Sequence, residues 1–102
     1  GGGGGGGDGA SRLASTADGL REAAKEGSAD AVRRILAAGV DVNTVDAQGN
    51  TALHVAALFN HHQVVDLLLA GGANASLKNA EGETPADCAP LTLGNKIKAR
   101  TA

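Results

Sequence analysis

Asp46-Ala47-Gln48-Gly49-Asn50-Thr51-Ala52-Leu53-His54-Val55-Ala56-Ala57 is the stretch that decides the fold. Its first half is turn chemistry, with Asp, Gly and Asn closely spaced. Thr51 then offers a hydroxyl to cap the helix that the Ala- and Leu-rich second half favours. The same order of residue types recurs 33 positions away in both directions. Leu20, Ala23 and Ala24 fall on Leu53, Ala56 and Ala57, and Val32, Leu36 and Gly39 fall on Val65, Leu69 and Gly72. Ala47, Gly49, Thr51, Ala56 and Leu58 fall on Ala80, Gly82, Thr84, Ala89 and Leu91 without a gap. A fixed period of this size marks a stacked helical solenoid, which offers an extended surface instead of a catalytic pocket.

Working outward, Leu20–Glu26 is a short helical stretch that Gly27 ends by taking positive φ. Ser28 caps a second helix over 29–38, with Ala31, Val32, Ile35 and Leu36 on one face. Residues 40–50 make a projecting loop, and the pattern restarts. It gives a helix over 52–59, a break at Asn60, and a helix over 61–70 with Val64, Val65, Leu68 and Leu69 inward. Gly71-Gly72 closes that helix, and 73–83 form the next loop. Thr84-Pro85 opens a third unit whose regularity Pro90 interrupts, because an interior proline costs about 3 kcal/mol. Helices under about 12 residues are marginal alone in water, so each must bury its apolar stripe on its neighbours.

The 102 residues include 16 glycines, one Phe and one Cys, and no Met, Trp or Tyr. Gly1–Gly7 and the residues after it, to position 12, are expected to form a disordered tail or linker. They are no phosphate loop, since no strand precedes them and no Gly-Lys-Ser/Thr follows. The Ala, Leu and Val content suits thin helical layers. A net charge of −2 gives no pull toward nucleic acid or an anionic membrane. No apolar run reaches the roughly 18 residues of a membrane span, and no signal-peptide pattern stands at the start. Cys88 is alone, so no intrachain disulfide forms; a reducing, intracellular setting is expected, the cytoplasm first and the nucleus as the alternative. A start at glycine, and an end inside a helical pattern, read as a piece of a longer protein.

The stretch 46–57 resembles the ankyrin repeat pattern D-x-x-G-x-T-P-L-H-x-A-A, and Val64-Val65, Leu67-Leu68-Leu69 and Gly72-Ala73 continue the likeness. The resemblance covers about eighty residues, from near Leu13 to near Ile97. It implies an all-α, ankyrin-like helix-turn-helix solenoid with projecting β-hairpin-type loops. Its units would be 13–45 (an amino-terminal cap), 46–78, and a partial, irregular 79–102. There are three departures. Ala52 stands where the family has proline, Ala17–Arg21 lacks the Thr-Pro-Leu-His signature, and Asp87 and Pro90 replace a histidine and an alanine. The family likeness implies that His54 ties one hairpin to the next by internal hydrogen bonding, and that His61 is the usual capping histidine.

No chemistry of catalysis stands out: there is no nucleophile–base pair, carboxylate dyad or metal spacing. His61 and His62 are adjacent, so on a helix they point about 100° apart, whereas a closed zinc site needs four converging ligands. Cys88 reads as a small buried hydrophobe with no basic neighbour to activate it. Arg21, Lys25, Arg33 and Arg34 interleave with Glu22, Glu26 and Asp30 and read as a solvated face paired at i, i+4. Lys96, Lys98 and Arg100 are less balanced and could meet an acidic partner.

The expected function is non-catalytic binding of a partner protein, or of another domain of the same chain, by a monomer without cofactor or metal. As an alternative, the chain is an intramolecular regulatory or scaffolding domain attached to an enzyme, membrane-trafficking factor or channel. The likeness points to loop-tip contacts at Val45, Ala47, Gln48 and Asn50, and at Lys78, Ala80, Glu81 and Glu83 one period later. Leu58 and Phe59, closing an inner helix, would be apolar anchors, with Leu91 and Thr92 in the same place one period on.

Overall fold

The computed structural model describes residues 15–101, and the glycine-rich tail expected over 1–12 lies outside them. Among the described residues there is no strand, and six helices follow in order. They are α1 (Ala17–Glu26), α2 (Ala29–Ala37), α3 (Ala52–Leu58), α4 (His62–Ala70), α5 (Pro85–Cys88) and α6 (Leu91–Thr101). Each odd-numbered helix packs on the even-numbered helix that follows it. The odd helices also stack in a row, α1 on α3 and α3 on α5, while α2 packs on α4 behind them. The result is the expected two-layered solenoid.

The caps explain where each helix starts. Thr16 accepts from the Gly19 N–H at 3.0 Å, so α1 begins three residues before the expected Leu20. Ser28 accepts from the Ala31 N–H, and Thr51 and Thr84 close reciprocal capping boxes with His54 and Asp87. Where α1 and α3 end, one geometry occurs twice. Gly27 has φ 75° and Asn60, one period on, has φ 61°. The next amide donates back to Ala23 O from Ser28 (3.0 Å) and to Ala56 O from His61 (2.9 Å). Asparagine tolerates the left-handed region better than other side-chain-bearing residues.

The core is the set of faces that these short helices must hide. Leu20, Ala23, Ala24, Leu53, Ala56 and Ala57 are buried on the inner row. Val32, Ile35, Val64, Val65 and Leu68 are buried on the outer one. Full burial of a Leu, Ile or Val is worth about 1.5–3 kcal/mol, and the alanines let the inner helices approach closely.

The third pair departs from the register. Pro90 holds Ala89 extended (φ −84°, ψ 155°), so α5 stops at Cys88 after a single turn. Helix α6 then begins at Leu91. This corrects the expectation that Leu91 and Thr92 repeat the place of Leu58 and Phe59: they open an outer helix instead of closing an inner one. Leu93 and Ile97, one turn apart, are buried and anchor α6. A Cβ on Gly94 would lie 2.8 Å from Ala86 O, so α6 crosses α5 at a distance only glycine permits.

One surface expectation also changes. Lys96 and Arg100 pair with Asp66 of α4 at 3.0 and 3.2 Å, tying α6 to α4 instead of awaiting an acidic partner. On the first pair of helices, Asp18–Arg21 and Asp30–Arg33 are ion pairs spaced i, i+3.

His61 occupies the N-cap position of α4 but makes no side-chain cap bond. Its Nε2 instead donates to Lys25 O at 2.9 Å, one of the carbonyls left open at the end of α1. The ring lies over Gly27, where an added Cβ would come within 2.7 Å of it. Gly27→Ala therefore strains a left-handed residue and expels the ring; a loss of about 1–3 kcal/mol is expected in urea denaturation. Asn60→Gly, at the same left-handed backbone geometry, should leave stability unchanged or raise it.

Candidate functional site

Two loops stand at the ends of the inner helices, and each is built around one short polar side chain. Asp46 Oδ1 accepts from the N–H of Gln48 and Asn50, both at 2.9 Å. Asn79, one period later, accepts from Glu81 (2.9 Å) and Glu83 (3.0 Å). Each loop closes by a backbone bond across its base, Asp46 N–H to Asn50 O and Asn79 N–H to Glu83 O. The loops therefore keep a hairpin-like shape without a strand.

The loops are also bonded to each other. Ala80 N–H donates to Gln48 O at 2.8 Å, and Asn79 Nδ2 donates to Asn50 Oδ1 at 3.0 Å. A Cβ on Gly49 (φ 77°) would lie 3.0 Å from Ala80 N, so glycine serves both the turn and the contact. Below them His54 is buried and bonded on both sides of its ring. Nε2 donates to Glu83 O at 2.8 Å; Nδ1 accepts from the Thr51 N–H at 3.2 Å. This arrangement uses the neutral imidazole with its proton on Nε2. The linking role implied for His54 is present, and the second loop is held in register with the first.

Between the second loop and helices α3 and α5 lies a groove of about 300 Å³. Val55 and Leu58 give its apolar floor, and Glu81, Glu83 and Asp87 its acidic rim. Cys88 is half-buried and lines the same groove, not the core. Its thiol lies 3.6 Å from Glu83 Oε1. Burial, with the Glu83 carboxylate close by, pushes the Cys88 pKa up to about 11. The thiol is thus a weak nucleophile. The Asp87 carboxyl is held below the usual carboxylate range by the backbone N–H of Thr84 that it caps. A shallower depression on the other side of Val55 is lined by Arg21, Glu22 and Lys25, and Arg21 reaches Thr44 Oγ1 at 3.2 Å.

The expected contact residues are distributed unevenly. Val45, Ala47, Gln48, Lys78, Ala80 and Glu81 are exposed on or beside the loops. Asn50 and Glu83 are half-buried, and the Asn50 oxygen is already taken by Asn79. Leu58 and Phe59 end α3 at 61% and 46% exposure, large values for apolar side chains. The Phe59 ring stacks on His61, centroids 6.3 Å apart and planes 12° from parallel. Leu91 and Thr92 are exposed at the start of α6. The residues that sequence reasoning missed are Val55, Asn79, Asp87 and Cys88. The repeat offset could have found them, because Asn79, Asp87 and Cys88 fall on Asp46, His54 and Val55.

Fold and geometry together define a helical-repeat solenoid with a row of cross-bonded loops and a groove beneath them. A family model described as "Ankyrin repeats (many copies)" matches residues 20–69, and the chain belongs to the ankyrin repeat family. It is 39% identical over 77 residues to inactive serine/threonine-protein kinase TEX14 of Mus musculus, covering 76% of this chain and 5% of that protein. It is 36% identical over 76 residues to SH3 and multiple ankyrin repeat domains protein 2 of Homo sapiens, covering 74% and 4%. With ankyrin repeat domain-containing protein 40 of Mus musculus it shares 43% over 67 residues, covering 65% and 18%. The chain thus spans less than a fifth of the length of each of these relatives. Ankyrin repeats are non-catalytic modules that mediate protein–protein interaction. No described helix is long and apolar enough to cross a membrane.

Two measurements check this geometry. His54→Ala leaves the buried Thr51 N–H without an acceptor and frees the second loop, which should cost about 2 kcal/mol and speed amide exchange at Thr51. At pH 8 a thiol with a pKa near 11 should react with iodoacetamide at least about a hundredfold more slowly than an unperturbed cysteine. Glu83→Gln removes a negative neighbour, lowers the pKa and accelerates the reaction.

Proposed function

We propose that this chain is a non-catalytic protein-recognition module, organised as units 13–45, 46–78 and 79–102, that docks a partner protein along its loops and inner helices. The observation that carries the reading is the pair Leu58 and Phe59, left exposed at the end of α3 beside a groove and a row of loops already bonded into fixed positions. Binding energy concentrates in a few large apolar or aromatic residues, and a preordered surface loses little conformational freedom on association. Gln48, Lys78 and Glu81 supply polar selectivity at the loop tips, and Glu83 and Asn50 act mainly by holding those tips. Leu91 and Thr92 extend the exposed surface from the start of α6. The module works as a monomer inside the cell, without cofactor or metal.

A second reading is favoured by the small share of each relative that the chain matches, 5% and 4% in two cases. In it the docked partner is another domain of the same parent protein, and the module regulates or scaffolds that domain. The same face serves both readings.

With a partner recovered by affinity capture, Leu58→Ser and Phe59→Ala should each weaken binding about tenfold while leaving the thermal melt unchanged, since neither side chain is buried. Wild-type affinity in both variants, and in Glu81→Lys, would place the docking face elsewhere.

A further inference from the structure

The groove beside the second loop has a chemistry of its own. Its about 300 Å³ is at the lower end of the range for small-ligand sites, room for one long side chain and little more. The floor is Val55 and Leu58; the rim carries the carboxylates of Glu81, Glu83 and Asp87. Among the described residues none of these three carboxylates forms an ion pair. Glu83 faces only the Cys88 thiol, and Asp87 accepts from the Thr84 N–H. Lys78 and Lys98 act on Asp87 at longer range and lower the net charge of the rim without closing onto it. The polar groups below are already satisfied, Asn79 by Asn50 and the loop amides, His54 by Glu83 O and Thr51. The groove therefore presents a negative rim over an apolar base, and no Lys or Arg is among the residues that line it.

We propose that this groove receives an arginine or lysine side chain from an extended segment of the partner protein, its charged end between Glu81, Glu83 and Asp87 and a neighbouring apolar residue on Leu58. The stem of such a side chain is apolar and suits Val55, while its cationic end suits the rim. The high pKa of Cys88 has the same origin in part, because Glu83, Asp87 and Glu81 all oppose a further negative charge there. This assignment rests on the docking reading above and adds to it the charge and size of what is docked.

A random-peptide display library panned on the intact chain tests it, with the double variant Glu81→Lys, Glu83→Gln as counter-target. Glu83→Gln keeps the backbone carbonyl that His54 needs, and circular dichroism checks that the variant is folded. The expected result is enrichment of Arg or Lys beside Leu, Ile or Phe. Synthetic versions of those peptides should bind the variant roughly tenfold more weakly and lose affinity with added salt. Basic peptides that bind the variant as tightly as the parent chain would overturn the proposal, as would a library that returns no binder. Neutral or acidic peptides that lose binding on Phe59→Ala would also overturn it, yet would leave the docking face itself standing. Peptides indifferent to both sets of changes would remove the face as well.

Discussion

None of these helices can stand alone. The longest of the inner row has ten residues and α5 has four, so each persists only while its apolar face is covered by the next. That constraint explains the alanines. Ala23, Ala24, Ala56 and Ala57 are wholly buried, and their small side chains set a close spacing between successive inner helices. Close spacing in turn brings the carbonyl at the end of α1 within reach of the His61 ring, and Glu83 O within reach of His54. The polar bridges are consequences of the apolar stacking, and they hold its register once formed.

The same spacing produces the proposed docking surface. Because the two loops are linked backbone to backbone through Gln48 and Ala80, their tips do not need a partner to become ordered. The groove exists because α5 is a single turn and the second loop stands over it, with half-buried Val55 and exposed Leu58 of α3 between them. The residues divide accordingly: Asn79, His54 and Asn50 are consumed in holding the loops, while Glu81, Leu58 and Phe59 are left outward.

Much of this was legible locally. The period, the caps at Ser28, Thr51 and Thr84, and the breaks at Gly27 and Asn60 depend on neighbours in sequence, and sequence reading found them. Thr16 was missed as a cap because little that is periodic precedes it. The His61 bridge could not be read, since it needs both the missing Cβ of Gly27 and the stacking distance. The pairing of Lys96 and Arg100 with Asp66 joins residues 30 and 34 positions apart, which composition does not encode. Pro90 was recognised as a disturbance, yet its effect was a shift of the whole outer helix: one extended residue, Ala89, moved Leu91 from the end of one helix to the start of another. The groove lay hidden for a simpler reason. Its lining comes from positions whose equivalents one period earlier, His54 and Asp46, had been given purely internal duties.

The exchange of histidine for aspartate across one period has a directional consequence. Imidazole can give a proton on one side and take one on the other, so His54 closes its own turn and still grips the loop that follows. The carboxylate of Asp87 can only take, and its reach ends with Thr84. Mechanical continuity is thus one-way along this ladder: rigidity handed forward from His54 is received at Glu83, and Asp87 has no equivalent hand to pass it on.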